Sequence, residues 1–353
     1  MKVLSVVGAR PQFIKLAPIH RELVRLDNDH VIIHTGQHYD HSMSQIFFDD
    51  LGIPAADENL SIGSASHGRQ TGLMLEALET SILRHAPDYV LVYGDTNSTL
   101  AAALACVKIH QRLVHLEAGL RSFNRLMPEE HNRVLTDHAS DILLAPTEIA
   151  YNNLVNEGLG KRSYVIGDVM TDVLLSTIER LKESPPRMPE EWTAGSEFVV
   201  ATIHRQENTD DPIRLRQIIE YLASSQIQIR LIVHPRLAAK AQEFGIDLGF
   251  GKVTPFTALS YPQLLIALQE TVGVITDSGG LQKEAFLMRK PCITIRTETE
   301  WVETVSLGWN ILAPDCDAKI SKVFGSFSPP TITYPFGDGN AASRAVEVLS
   351  SNL

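Results

Sequence analysis

The chain is 353 residues long, room for one large domain or two ordinary ones. Hydrophobic residues make up 44% and charged residues 21%, the balance of a globular chain with a core of useful size. The formal net charge of −11 argues against general binding to nucleic acid or to an anionic membrane, though it leaves room for a local basic pocket.

The N-terminal run KVLSVVG reads as a buried strand. IKLAPIHRELVRL follows as a helix, apolar at Ile14, Ala17, Ile19, Leu23 and Leu26. HVIIHTG, DYVLVYGD, RLVHLEAG and DILLAPT are further strands with helical stretches between them. Continuous apolar runs of this kind predict a parallel sheet covered on both faces. The series ends near SYVIGDV, and ERLKESPPRMPEEWTAGSE then reads as a linker or exposed loop. The alternation restarts with FVVATIH, IRLIVHP, KVTPF, VGVITDSGG and PCITIR, and the tail GDGNAASRAVEVLSSNL reads as a terminal helix. The expected fold is α/β: two Rossmann-like doubly wound domains, spanning 1–168 and 169–336, with a terminal helix over 337–353. Ligands of such domains belong at the C-terminal ends of the strands, here in a cleft between the domains.

The three cysteines, Cys106, Cys292 and Cys316, form no CxxC pair and read as reduced thiols of a cytosolic protein. VLSVV is too short for a signal peptide, and no apolar run approaches the ~18 residues of a membrane span. There is no P-loop, and no GxGxxG follows the first strand, which weakens ATPase and simple dehydrogenase readings.

Every motif that could carry chemistry sits at a strand end. In GARPQFIK, Arg10 and Lys15 lie on or just before a helix, where two cations make an anion site or simply a charged surface. In YGDTNST, Asp95 reads as a helix N-cap or as a catalytic acid. HLEAGLRS puts Glu117 at another strand tip, and Glu129 of MPEEHNR lies where a helix begins. Each acid alone has a structural explanation; carboxylates gathered at the strand tips of one sheet suit abstraction and return of a proton. His204 and His234 end two strands of the second half, as catalysts or as satisfied polar groups. His34, His38 and His41 have an irregular spacing that does not call for a metal. Asp-Ser-Gly-Gly after VGVIT puts Ser278, Gly279 and Gly280 at a helix N-terminus, where free amides and the dipole favour a phosphate. Glu284, one turn further on, is placed to hold a ribose diol.

Taken in order, GARPQFIK, YGDTNST, HLEAGLRS, PEEHNR, HR and TDSGGLQKEA resemble the non-hydrolysing UDP-N-acetylglucosamine 2-epimerase family, from Met1 to the GDG at 337–339. The resemblance implies the GT-B type of two-domain fold, with a last helix that crosses back to the N-terminal domain. It implies inversion at C2 of a UDP-linked 2-acetamido sugar, through UDP elimination and re-addition, with no cofactor. By motif match, Arg10, His204, Ser278, Gly279 and Gly280 would hold the diphosphate, with Lys15 near the same site. Asp95, Glu117 and Glu129 match the catalytic acids, and Glu284 matches the ribose ligand. The resemblance also implies a cytoplasmic homodimer. Where the commoner form reads QHREM, this chain reads QHYD at 37–40, so the Arg-Glu pair of an activating second UDP-sugar site is missing. The shorter SFNRLM loop, GARPQFIK and IFFDDLGIP resemble the branch acting on UDP-2,3-diacetamido-2,3-dideoxyglucuronate. Arg125 in that loop is then expected to face a sugar carboxylate at C6. Other activities compatible with the fold are a GT-B glycosyltransferase, a hydrolysing epimerase and a UDP-sugar-binding regulator; the three acids favour epimerisation.

Overall fold

The computed structural model describes residues 1–36, 53–192, 197–328, 330 and 333–353, apart from the Arg10 side chain. The sequence stretch QHYD, residues 46–52 of IFFDDLGIP, and His38 and His41 therefore lie outside the described residues. The chain divides into two compact units, Met1–Ser176 with Tyr334–Leu353, and Thr177–Thr333.

The first unit is built on seven strands: β1 (Lys2–Val7), β2 (Asp29–His34), β3 (Glu58–Asn59), β4 (Tyr89–Tyr93), β5 (Leu113–Leu116), β6 (Ile142–Ala145) and β7 (Ser163–Val165). They pair in the order 3-2-1-4-5-6-7, every ladder parallel. Alternate residues serve opposite faces, as strand geometry requires. Val3, Val7, Leu91 and Tyr93 pack in the cluster with Leu16, Leu23 and the terminal-helix residues Val346 and Leu349. Leu4, Val6, Val90 and Val92 pack in the other, with Met74, Leu78 and Ala102. Two buried faces explain why these strands read as unbroken apolar runs.

The second unit repeats the plan with β8 (Phe198–Thr202), β9 (Gln228–Ile232), β10 (Val253–Phe256), β11 (Gly273–Thr276), β12 (Cys292–Thr294) and β13 (Asn310–Leu312). Its order is 10-9-8-11-12-13, again parallel throughout. The expected pair of doubly wound α/β domains is thus present. In each sheet the strand order reverses once, between β1 and β4 and between β8 and β11. The crevices beyond the strand ends there are where such sheets take ligands.

Residues 184–191 form the expected loop, but the two sides of it differ from an exposed linker. The helix Val169–Glu183 precedes it and ends ahead of Pro185 and Pro186, which cannot continue the helix. Trp192 is buried edge-on to Phe198 and Phe256, with the Arg230 guanidinium 4.4 Å above its ring. Apolar and cation–π contacts there outweigh the polar composition of the stretch.

The terminal helix Ala341–Ser351 belongs to the first unit. Its own N-cap, Asn340, makes no side-chain cap bond. The Asp172 carboxylate takes that role, accepting from the Ala341 and Ala342 amides at 3.0 and 2.8 Å. Burial pushes the Asp172 carboxyl up, and those amides only partly offset it. Among the described residues no helix is long and apolar enough to cross a membrane. Asp172→Ala should cost the terminal helix about 1 kcal/mol, so amide hydrogen exchange across 341–351 should quicken roughly fivefold. Unchanged exchange would mean the cap is idle.

Candidate active site

At the β1/β4 switch point, the helix Arg10–Arg25 begins with Gln12 folded back over its own N-terminus. Gln12 Oε1 accepts from the Gly8 and Ala9 amides at 2.8 and 3.0 Å, while its Nε2 donates to the Tyr93 carbonyl at 2.8 Å. Two amides that an anion site would use are therefore already occupied. Lys15, one turn on, lies under the tip of β5 in an ion pair with Glu117. Burial works to depress the Lys15 ammonium; Glu117, Asp95 and Asp168 overcome it and raise it above the ordinary lysine value. Lys15 is thus surrounded by carboxylates. Arg10 stands at the helix start, its side chain outside the described residues.

Asp95 follows β4 directly. Arg133 donates to its Oδ2 through Nε at 3.0 Å and through the second guanidinium nitrogen at 2.7 Å. Thr96, not Asp95, caps the next helix by accepting from the Thr99 amide. The N-cap explanation for Asp95 thus falls away. Glu117 has a left-handed backbone, φ 73°, a conformation an L-residue holds only where its surroundings over-determine it. In the PEE motif the two acids separate cleanly. Glu130 is buried and fully engaged, accepting from the Ser122 and Phe123 amides and from Arg133, each at 2.9 Å. Burial would raise its carboxyl, but these donors hold it below the usual carboxylate range. Glu129 is exposed in the same first turn, with no partner among the described residues. It is the acid of the pair left able to meet a ligand.

The loop 122–127 owes its shape to Glu130. Arg125 is exposed there, its carbonyl accepting from His131 Nε2 at 2.8 Å. His34 accepts from the Gly36 amide at 2.8 Å and stacks on Phe13, ring centroids 5.0 Å apart.

In the second unit Asp277 ends β11 with no solvent exposure. Its carboxylate accepts from the His204 amide at 3.1 and 3.0 Å, the Arg205 amide at 3.0 Å and Asn208 Nδ2 at 3.1 Å. It thereby fixes the turn after β8. The His204 ring lies on the His234 ring, centroids 5.2 Å apart, and His234 Nδ1 caps the next helix by accepting from the Arg236 amide at 3.2 Å. Ser278 caps the helix Gly279–Leu287, accepting from the Leu281 amide at 3.4 Å. The amides of Gly279 and Gly280 belong to the first turn, which has no acceptors within the helix.

Neither glycine has a positive φ, and a methyl at Gly280 would meet nothing nearer than Ser278 Oγ at 3.9 Å. Backbone strain and packing therefore do not require glycine at either position. Beside the turn, Arg296 holds Glu300 through two bonds of 2.9 and 3.1 Å, and Arg205 reaches Glu300 only at 3.9 Å. Arg205 is therefore the loosely held cation of the cluster. Lys283 lies 3.9 Å over the Trp301 ring.

Residues 21–350 match the family model described as UDP-N-acetylglucosamine 2-epimerase. A Methanococcus maripaludis protein named as a UDP-N-acetylglucosamine 2-epimerase homolog is 46% identical over 358 residues, covering 99% of either chain. The chain belongs to the UDP-N-acetylglucosamine 2-epimerase family. The UDP-2,3-diacetamido-2,3-dideoxy-D-glucuronate 2-epimerase of Pseudomonas aeruginosa is 44% identical over 360 residues, again 99% of each chain. The crystal structure of the Methanocaldococcus jannaschii UDP-GlcNAc 2-epimerase in complex with UDP-GlcNAc and UDP is similar at a TM-score of 0.89. It is 38% identical, covering 99% of this chain and all 100% of that one.

The roles read from the family motifs fall on Asp95, Glu117, Glu129 and Ser278–Gly280, and not on Arg133, Glu130, Asp277, Arg205 or the Arg296–Glu300 pair. Glu130, Arg133, Arg205 and Asp277 stand inside PEEHNR, HR and TDSGGLQKEA, and for Asp277 the signal is an Asp between a strand and a Gly turn. Arg296 and Glu300 left no signal, since only the fold brings residues after β12 to the turn.

Glu284 is buried, and burial pushes its carboxyl up to about 7 against the opposing Lys283 charge and Tyr261 hydroxyl. The folded state holds this proton more tightly than the unfolded one. Stability therefore falls as pH rises from 4.5 through about 7. Glu284→Gln should remove that slope and leave the variant more stable than the parent at pH 8 by roughly 1–3 kcal/mol. Urea titrations at pH 5 and pH 8 check it; parallel losses in both proteins would contradict the burial.

Proposed function

We propose that this chain inverts C2 of a UDP-linked 2-acetamido sugar without releasing the nucleotide. UDP leaves with the C2 proton to give a 2-acetamidoglucal, and then re-adds while a proton is delivered to the opposite face. The observation that carries this reading is the Ser278–Gly280 turn. It is a helix N-terminus with open amides and two glycines that the chain itself does not need, beside the loosely held Arg205. A diphosphate fits that description. C2–H is a poor acid, so the barrier falls mainly by stabilising the charge that grows on the leaving β-phosphate. We assign that role to the Gly279 and Gly280 amides, Ser278, His204, Arg205 and Arg10.

Glu284 would take the ribose hydroxyls, which donate to an ionised carboxylate, so binding should release a proton below about pH 7. His234, its ring tilted against that of His204, would steady that ring. Proton transfer falls to the first unit. Asp95, Glu117 and Glu129 are the candidate acids, and Lys15 serves as counter-ion to Glu117 near the same site. In this reading the segment 1–168 carries the acids, 169–336 binds UDP, and 337–353 completes the first. The product would supply mannose-configured amino sugars for cell-surface polysaccharide, made in the cytoplasm by a homodimer that needs no cofactor.

The substrate branch follows from Arg125. It is exposed on a loop that Glu130 holds in place, and a guanidinium there suits a C6 carboxylate. Arg125→Ala should lower kcat/KM for the diacetamido glucuronate by roughly tenfold or more while sparing UDP-N-acetylglucosamine. Equal loss on both sugars would exclude the contact. NMR in D2O with each sugar tests the reaction itself. Deuterium at C2 of an inverted UDP-sugar is expected; free UDP accumulating would replace this reading by hydrolysis. Gly280→Ala should keep the parent's thermal stability yet weaken UDP binding at least about tenfold by isothermal titration. Unchanged affinity would remove the diphosphate from the turn.

A further inference from the structure

His115 lies in the middle of β5, fully buried, where an apolar residue would ordinarily sit. Its Nε2 donates to the Gly94 carbonyl at 2.8 Å, and its Nδ1 donates to Asp137 Oδ1 at 2.6 Å. Asp137 Oδ2 in turn accepts from the Gly119 amide at 3.1 Å and from Arg121 at 2.7 Å. Arg121 also donates to the Leu120 carbonyl at 2.7 Å and forks onto Glu157 with two bonds of 2.8 Å. A buried network of this kind is costly unless every member is satisfied, and these members are.

What the network joins is specific. Gly94 immediately precedes Asp95. Gly119 is two residues beyond Glu117, and any side chain there would strike the Ala150 carbonyl at 2.2 Å. Asp137 rides on the helix Pro128–Ala139, whose first turns carry Glu129 and Arg133, the partner of Asp95. Three acid-bearing segments thus meet through one imidazole and one carboxylate. The strained Glu117 backbone sits between two of the clamped points.

We propose that His115 and Asp137, extended by Arg121, are positioning residues that fix Asp95 and Glu117 relative to each other for proton removal and return at C2. This rests on the assignment of those two acids to proton transfer. A core histidine needed only for packing would have no reason to span both acid loops. Burial would raise Asp137, but the His115 and Arg121 charges more than offset it and hold the carboxyl below its usual range. The Asp137 carboxylate therefore stays ionised and keeps its bonds to His115 and Arg121.

His115→Gln and Asp137→Asn break the bridge while keeping polar atoms in place. Each is expected to lower kcat by about a hundredfold, the cost of a displacement near 1 Å, with KM and UDP affinity within about twofold of the parent. The ratio of C2 deuterium in recovered substrate to that in the product epimer should also change, because the two faces would be served by unequally displaced acids. Should the two variants fail to fold, Arg121→Lys, a point charge in place of the fork, carries the same measurements. Folded variants with a lowered Tm but unchanged kcat and unchanged deuterium ratio would overturn the proposal. A parent enzyme without C2 exchange, or full activity in Asp95→Asn and Glu117→Gln, would instead overturn the assignment beneath it.

Discussion

A carboxylate taken out of water must find donors or give up its charge, and that constraint shapes both strand-tip regions. Asp137 satisfies it with His115, Arg121 and the Gly119 amide, and so ties the loop after β5 to the end of β4. Glu130 satisfies it with two loop amides and Arg133, and so shapes 122–127. Asp277 satisfies it with the amides after β8. None of the three is left to react. Each spends its lone pairs on holding still a segment whose other residues face outward.

Glu284 meets the same constraint the other way. Burial outweighs the Lys283 charge and the Tyr261 hydroxyl, so it keeps a proton up to about pH 7. The Gly279 and Gly280 amides are the complementary case, first-turn donors with no acceptor within the helix. A carboxyl raised by burial and first-turn amides thus share one nine-residue helix.

Much of this was legible in the chain. Unbroken apolar runs such as YVLVY imply strands buried on both faces, and parallel sheets follow. The acids and the Gly-Gly turn stand at strand ends because the chain must turn there. Less legible was which neighbour does what. Glu129 and Glu130 are identical side chains in sequence, and only the helix phase turns one outward and the other into the loop. The Pro-rich stretch reads as a loop because composition cannot show that Trp192 finds Phe198, Phe256 and Arg230. His115 reads as one more strand residue because its partners lie 21 and 22 positions away.

Epimerisation by this route requires the diphosphate to leave the sugar and rejoin it. Positional isotope exchange measures that directly, with ¹⁸O placed in the oxygen bridging C1 and the β-phosphorus. Elimination frees that oxygen to rotate among the β-phosphate oxygens before re-addition, so the label should scramble in recovered UDP-sugar alongside C2 exchange. C2 exchange with the label retained wholly in the bridge would show that the C1–O bond never breaks, and would contradict the elimination mechanism.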